Sequence, residues 1–208
     1  MKISFVIITW LLLFSSHLAF SQTTTTPGYF GIRAGYQRVA TDIAISTIGG
    51  VYNSRGIAPR STFYGGGFYQ QSLNRWLVFR LELNYQQKGL EYLDQNVKPT
   101  VQQRLHYVGL TPLIGINPLP NLSVLIGPEG NQLVKDSSPS PTNEIKSIEL
   151  GLTARISYTY KWIGLEAGYF KAFTGYQNLK SVDFESTSKN RSWQVGLLVI
   201  PAKFKAGK

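Results

Sequence analysis

The stretch RWLVFRLELNYQQKG, residues 75–89, alternates with a period of two. Leu77, Phe79, Leu81, Leu83 and Tyr85 fall on one side of an extended chain, and Val78, Arg80, Glu82, Asn84 and Gln86 on the other. Successive side chains of a strand point to opposite faces, so this segment predicts a ribbon with one apolar face and one largely polar, charged face. A soluble sandwich or lipocalin-like binder would turn the apolar face inward. A membrane barrel would turn it outward, to lipid.

Seven further segments read as strands, over residues 28–39, 61–72, 104–116, 122–130, 145–160, 162–173 and 191–204. Several reach the ~9–11 residues that a tilted membrane strand requires. The connections between the eight alternate strictly in length. The long ones are Ala40–Arg60, Glu91–Gln103, Asn131–Asn143 and Thr174–Asn190; the short ones amount to LN, NPLPN and Lys161. In an up-and-down barrel, odd and even connections lie at opposite ends, and outer-membrane barrels pair short periplasmic turns with long external loops. The expectation is an all-β fold: an eight-stranded antiparallel up-and-down transmembrane β-barrel. With an even strand number both termini lie in the periplasm.

Parity assigns the faces. Leu77, Phe79, Leu81, Leu83, Leu150, Leu152, Ile156 and Leu165 are expected to face lipid. The opposite face mixes small residues with isolated charges. An eight-stranded barrel is only wide enough inside for its own side chains, and buried charges must pair. Arg33, Arg80, Glu82, Glu129, Glu149, Arg155 and Glu166 are therefore expected to form a structural ion-pair network in the lumen. Trp76, Tyr158, Tyr160 and Trp162 flank the short turns and are expected at one membrane interface. Trp193, with Tyr92 and Tyr176, is expected near the outer ends.

The N-terminus supports export. Lys2 precedes an apolar run from Ile3 to Phe14, and Ala19 and Ser21 stand where a signal peptidase reads small residues. Residues 1–21 read as a cleaved signal peptide and 22–208 as the barrel domain. The chain has no cysteine, which excludes disulfides, thiolate metal sites and a lipid-modified cysteine. Removing the signal peptide takes away only Lys2, leaving 20 Lys+Arg against 11 Asp+Glu. The cations are scattered, so nucleic acid is not an expected partner; outer-membrane lipid and lipopolysaccharide are.

Signals for chemistry are weak. His106, the one histidine of the mature chain, falls on the lipid side near the outer rim, with no serine at short spacing. The glycines at 65–67 lack the lysine and helix of a phosphate loop and read as a bend in the wall. No metal-ligand spacing and no cofactor motif is present, and no enzymatic activity is expected.

Four motifs in order carry a resemblance: FRLELNYQQKG (79–89), LHYVGLTPLIGI (105–116), LIGPEGNQL (125–133) and LGLTARISYTY (150–160). Together with the leader ending in SQ, they are similar to the PorT-type outer-membrane β-barrel domain of Gram-negative bacteria. Members of that family usually carry a glutamate two residues before the proline of the fourth strand. Here YVGLTPLI lacks it and holds an extra residue before Pro112, so the local register stays open and a bulge is one way to absorb it. The resemblance implies an outer-membrane location and no shared catalytic set. It leaves a structural, adhesive or partner-binding role, through external loops or periplasmic turns, with a secretion-associated role as one variant. A narrow pore and a lipid-modifying barrel enzyme are the alternatives.

Overall fold

The computed structural model describes residues 28–47, 50–53, 57–93, 99–137, 146–180 and 184–201. The expected signal peptide and the end of the eighth segment, from residue 202, lie outside the described residues. Eight long strands form the wall: β1 (Tyr29–Thr47), β4 (Arg60–Ser72), β5 (Leu77–Lys88), β8 (Leu105–Leu119), β9 (Leu122–Asp136), β10 (Ile148–Tyr160), β11 (Ile163–Ala172) and β13 (Phe184–Val199). Short strands β2 (Gly50–Asn53) and β12 (Gln177–Lys180) extend this sheet. β3 (Ile57–Ala58), β6 (Glu91–Leu93) and β7 (Pro99–Gln102) make a small sheet of their own. Each wall strand pairs antiparallel with its neighbouring wall strands, and β13 pairs with β1, so the eight-stranded wall closes on itself.

Pairing also fixes the stagger. Cross-strand partners run from Phe30 through Tyr69, Leu81 and Pro112, then Leu152, Lys171 and Arg191. They arrive back on β1 at Ala40, ten residues above the start. The β8–β9 step holds one offset on both sides of Pro112, from Leu110–Gly130 to Ile114–Ile126. A stagger of this size tilts the strands by about 35–45° and leaves a bore that side chains can fill.

The three tight connections sit at one end. Asn74 accepts the backbone N–H groups of Trp76 and Leu77 through its side chain, closing the β4–β5 turn. The other two turns each place a non-glycine residue in the left-handed region, Asn121 at φ 68° and Lys161 at φ 54°. Asparagine tolerates that conformation well; lysine does so at some cost in strain.

Several expectations are corrected. The bulge near Pro112 is absent: β5–β8 pairing runs unbroken through Leu81–Pro112, and the irregularities fall instead at His106/Tyr107 and Ile116/Leu119. Pairing also continues through Gly65–Gly67. There, a Cβ on Gly66 would lie 2.1 Å from the Leu83 carbonyl oxygen and 2.8 Å from Asn84 Oδ1, so this glycine answers crowding inside the bore. The long connections are shorter than expected. β1 runs to Thr47 against β13 from Phe184, and β9 runs to Asp136, so parts of Ala40–Arg60, Asn131–Asn143 and Thr174–Asn190 are wall. In these outer stretches the buried inward positions Ser186, Ser188 and Asn190 are polar like the outward ones, so hydropathy no longer marks a strand that the backbone ladder still holds.

Candidate functional site: a charged lumen and a basic outer rim

Inward-facing positions on all eight strands are buried, and four cations meet four carboxylates there. Arg33, Arg80, Lys88 and Arg155 face Glu82, Glu129, Glu149 and Glu166, and none is more than 3% exposed. Arg33 Nη1 donates to Glu82 Oε2 at 2.7 Å, and its Nη2 donates to Glu166. Arg80 Nη1 donates to the other Glu166 oxygen at 2.6 Å, its Nε to Gln70 at 2.7 Å and its Nη2 to Ser157 at 2.9 Å. Arg155 Nε lies 3.0 Å from Glu82 Oε2 but at an angle too poor for a hydrogen bond, so that contact is electrostatic. Its Nη1 donates to Gln194 at 2.6 Å, and its Nη2 lies 3.5 Å from Glu129. Towards the outer end Lys88 donates to Glu149 at 2.5 Å, and Asn190 donates to the second Glu149 oxygen at 2.7 Å.

The network is one connected column running up the bore. Each carboxylate touches at least one cation, and the amides of Asn84, Gln86 and Asn131 donate further hydrogen bonds to Glu82 and Glu129, while Glu82 Oε1 and Arg33 Nε stay without a hydrogen bond. Charge neutrality and multiple hydrogen bonds are the conditions under which buried ions are tolerable. Aromatic rings complete the packing: Arg33 lies 4.6 Å over Tyr64, Arg80 4.9 Å over Phe68 and Lys88 3.8 Å over Phe170.

Apolar clusters close both ends of the column. Phe68, Leu198 and Ile200 pack with Tyr29 at the short-turn end, beside Val78, Leu113 and Leu125. Leu90, Leu105, Tyr107 and Tyr176 pack with Leu133 at the other end. Arg60 adds a hydrogen bond to the Gln103 carbonyl at 2.6 Å. Tyr176 is a correction: it was expected at the outer rim and is wholly buried in this cap.

All seven residues expected in the lumen network are brought together there. Lys88 was missed, although it stands on the same face as Arg80, four alternations along β5. Of the residues expected to face lipid, Leu81, Leu83, Leu150, Leu152, Ile156 and Leu165 are exposed on the outer face, whereas Leu77 and Phe79 are half-buried. Trp76, Tyr158, Tyr160 and Trp162 are exposed around the short-turn end. Trp193 is exposed further up, packed against Tyr169 with ring planes tilted by 49° and centroids 4.6 Å apart. Tyr92 lies in β6, where its side chain is outside the described residues. His106 faces outward, its Nδ1 2.5 Å from the Tyr85 hydroxyl. Among the described residues no group of three acidic or histidine side chains is placed to hold a metal.

Above the apolar outer band, towards the long connections, the wall turns basic on three adjacent strands. Arg38, Lys171, Lys189 and Arg191 all point outward and are exposed. Register makes them neighbours: Arg38 pairs with Trp193, Arg191 with Lys171, and Lys189 with Asp42. Asp42 is the carboxylate among them, 3.3 Å from Arg191 Nε.

Comparison with solved structures finds OprG, an outer membrane protein of Pseudomonas aeruginosa, at TM-score 0.50 and 11% identity, over 84% of this chain and 96% of that one. Neisserial surface protein A matches at TM-score 0.48 and 16% identity, over 84% and 97%. Ail, the attachment invasion locus protein of Yersinia pestis, crystallised with the heparin analogue sucrose octasulfate, matches at 0.44 and 15%, over 83% and 98%. No curated protein matches. The model of the outer membrane protein beta-barrel domain family matches residues 20–177. A closed eight-stranded wall, oily outside and ionic within, over most of the matched length, places this chain in the outer membrane protein β-barrel domain family.

Proposed function

We propose that the protein is a sealed barrel that works at its ends rather than through its bore. In this reading it sits in the outer membrane with the tight turns in the periplasm and presents its extended hairpins outside as a partner-binding or adhesive surface. The observation that carries this is the filled lumen. A neutral column of buried ion pairs, capped by apolar clusters at both ends, leaves side chains where a pore would need water. The wall strands continue past the apolar band, so β1 and β13 hold their outer residues as a paired ribbon rather than a loose loop. The lipid-facing assignment of Leu81, Leu83, Leu150, Leu152, Ile156 and Leu165 follows from their exposure in a barrel of this family. A PorT-type, secretion-associated role is the finer version of this reading; it rests on the four motifs of the sequence and on the periplasmic turns as a second contact surface.

Planar-bilayer recording of the purified protein tests the sealed bore. The wild type is expected to show no steady conductance, and Arg80→Ser with Glu166→Ser to open one. A stable ohmic current from the wild type would overturn the reading in favour of the pore.

A further inference from the structure

We infer, from the membrane location and orientation proposed above and independently of the sealed bore, that the outer ends of β8, β9 and β10 form a self-association face. It docks on the same face of a second copy of this chain in the plane of the membrane.

The apolar surface rises higher on this side than on its neighbours. On β11, β13 and β1 the outward apolar run ends at Lys171, Arg191 and Arg38. Lys171 pairs with Leu152, and above that pair the wall carries Leu150 and Ile148 on β10, Phe173 just beyond β11 and Val134 on β9, all exposed. Phe173 donates its backbone N–H to the Leu150 carbonyl at 2.8 Å, which joins these side chains into a ridge. An apolar ridge at the level where neighbouring strands turn cations outward marks contact with protein rather than with acyl chains. The residues joining β9 to β10, 137–147, bring one large apolar side chain, Ile145, too little to cover it. Gln132 adds a second mark. Its neighbours along the outer face of β9 are Gly130 and Val134, and register sets it between Val108 and Ile148. Acyl chains would leave that exposed carboxamide with nothing beyond its 3.3 Å bond to the Leu133 carbonyl; a protein surface supplies further partners.

Shape and charge select a second copy as the occupant. Beside the ridge lies a shallow hollow walled by Leu83, Val108, Leu110 and Ile148, with Gly130 at its floor. A Cβ on Gly130 would meet only Leu150 Cδ2, at 3.5 Å. Two barrels inserted the same way up are related by a two-fold axis along the membrane normal, so each residue meets residues at its own height. Leu150 pairs with Gly130, so ridge and hollow are level. Ile148 belongs to both, and an axis passing beside it seats Leu150 of each copy in the hollow of the other. The face carries no charged side chain, although Lys135 borders it beyond Val134, whereas the rim on β11, β13 and β1 is basic at Arg38, Lys171, Lys189 and Arg191. Two copies of a chain with net charge +10 approach most closely through an uncharged sector.

The chain contains no cysteine, so a single introduced thiol reports on contact with a second copy. Ile148→Cys, expressed in the full chain and oxidised mildly in native outer membranes, is expected to give a disulfide-linked band at twice the monomer mass. Ser61→Cys, exposed on β4 beside Arg38, is expected to stay monomeric under the same treatment. Adding Gly130→Leu, which fills the hollow, is expected to cut the Ile148→Cys dimer by about tenfold, as displacing one well-packed anchor does. Heat-modifiable gel migration checks that each variant forms its barrel. Should Gly130→Leu fail to fold, Leu150→Ala, which lowers the ridge, carries the same comparison. An Ile148→Cys chain that stays monomeric, or a dimer formed equally well through Ser61→Cys, would overturn the proposal. So would a dimer indifferent to the filled hollow or the lowered ridge. A link from Ile148→Cys to a protein of another mass would also overturn it and give the face to a different partner. None of these results bears on conductance, so the sealed-bore reading stands or falls separately.

Discussion

The two faces of one wall handle charge in opposite ways. On the inner face four cations meet four carboxylates, all buried and cross-linked between strands distant in sequence. On the outer face the middle of the wall carries no charge, and the charge that returns at the rim is mostly positive. The difference shows what each surroundings demands. A narrow bore without bulk water cannot hold an uncompensated ion, whereas a rim between lipid and water can hold an excess because solvent and anionic headgroups complete it. The chain's net charge of +10 therefore resides outside the bore network, which is neutral.

Breaking the inner balance is expected to have the largest effect. Arg80→Ala takes from Glu166 one of its two hydrogen-bonded cations, leaving Arg33 and the more distant Arg155, and orphans Gln70 and Ser157. The loss should be about 3–5 kcal/mol, the usual cost of stranding one member of a buried ion pair. Urea unfolding in detergent micelles, followed by heat-modifiable gel migration, measures it. A loss below about 1 kcal/mol would mean that water reaches the site. Next comes the outer half of the column. Lys88→Met and Glu149→Gln should each destabilise, and the double variant should be better than the sum by about 1–3 kcal/mol, since removing both charges removes the stranded ion. Strict additivity in that cycle would show that the Lys88–Glu149 contact is not coupled.

Packing gives a smaller contrast between the same faces. A Cβ on inward Gly115 would lie 1.9 Å from the Val124 carbonyl oxygen and 2.7 Å from the Leu125 Cα, both backbone. Gly115→Ala should cost about 1–3 kcal/mol as the ladder shifts. A Cβ on Gly130, on the outward side of β9, meets only Leu150 Cδ2, at 3.5 Å. Gly130→Ala should fall within about 0.5 kcal/mol of wild type. Equal effects at the two glycines would show that the outer surface is as crowded as the bore.

Much of this arrangement is legible in the residues before any coordinates. Period-two alternation in 75–89 and 148–160 separates the faces, and a narrow bore makes Arg33, Glu82 and Glu166 partners although they lie far apart in the chain. Lys88 escaped notice because it ends its strand, where alternation has too few neighbours to be convincing. The outer halves of β1 and β13 escaped for a different reason. There the buried inward residues Ser186, Ser188 and Asn190 are as polar as the outward ones, so hydropathy carries no face information, and cross-strand backbone pairing reveals the strand. Tyr176 was misplaced because a tyrosine in a loop reads as an interfacial anchor, while its burial depends on Leu90 beyond the end of β5 and on Leu105 and Tyr107 of β8. The Pro112 region shows the limit of family likeness: an inserted residue implies a bulge only if neighbouring strands fail to absorb it, and here the register is displaced elsewhere along β8.

The ladder between first and last strands is the longest around the cylinder, from Ile32–Val199 up to Thr47–Phe184. That join spans the largest sequence separation in the wall, so its closure is entropically most costly until the intervening hairpins are in place. Until it zips, the nascent sheet is an open trough whose ionic side is wetted, so Arg33 can wait, hydrated, for Glu166 to swing within reach. Shutting the trough expels that water and delivers all the cross-strand charge contacts together. Assembly should accordingly be concerted at its last stage, with no half-closed form that tolerates a hydrocarbon environment.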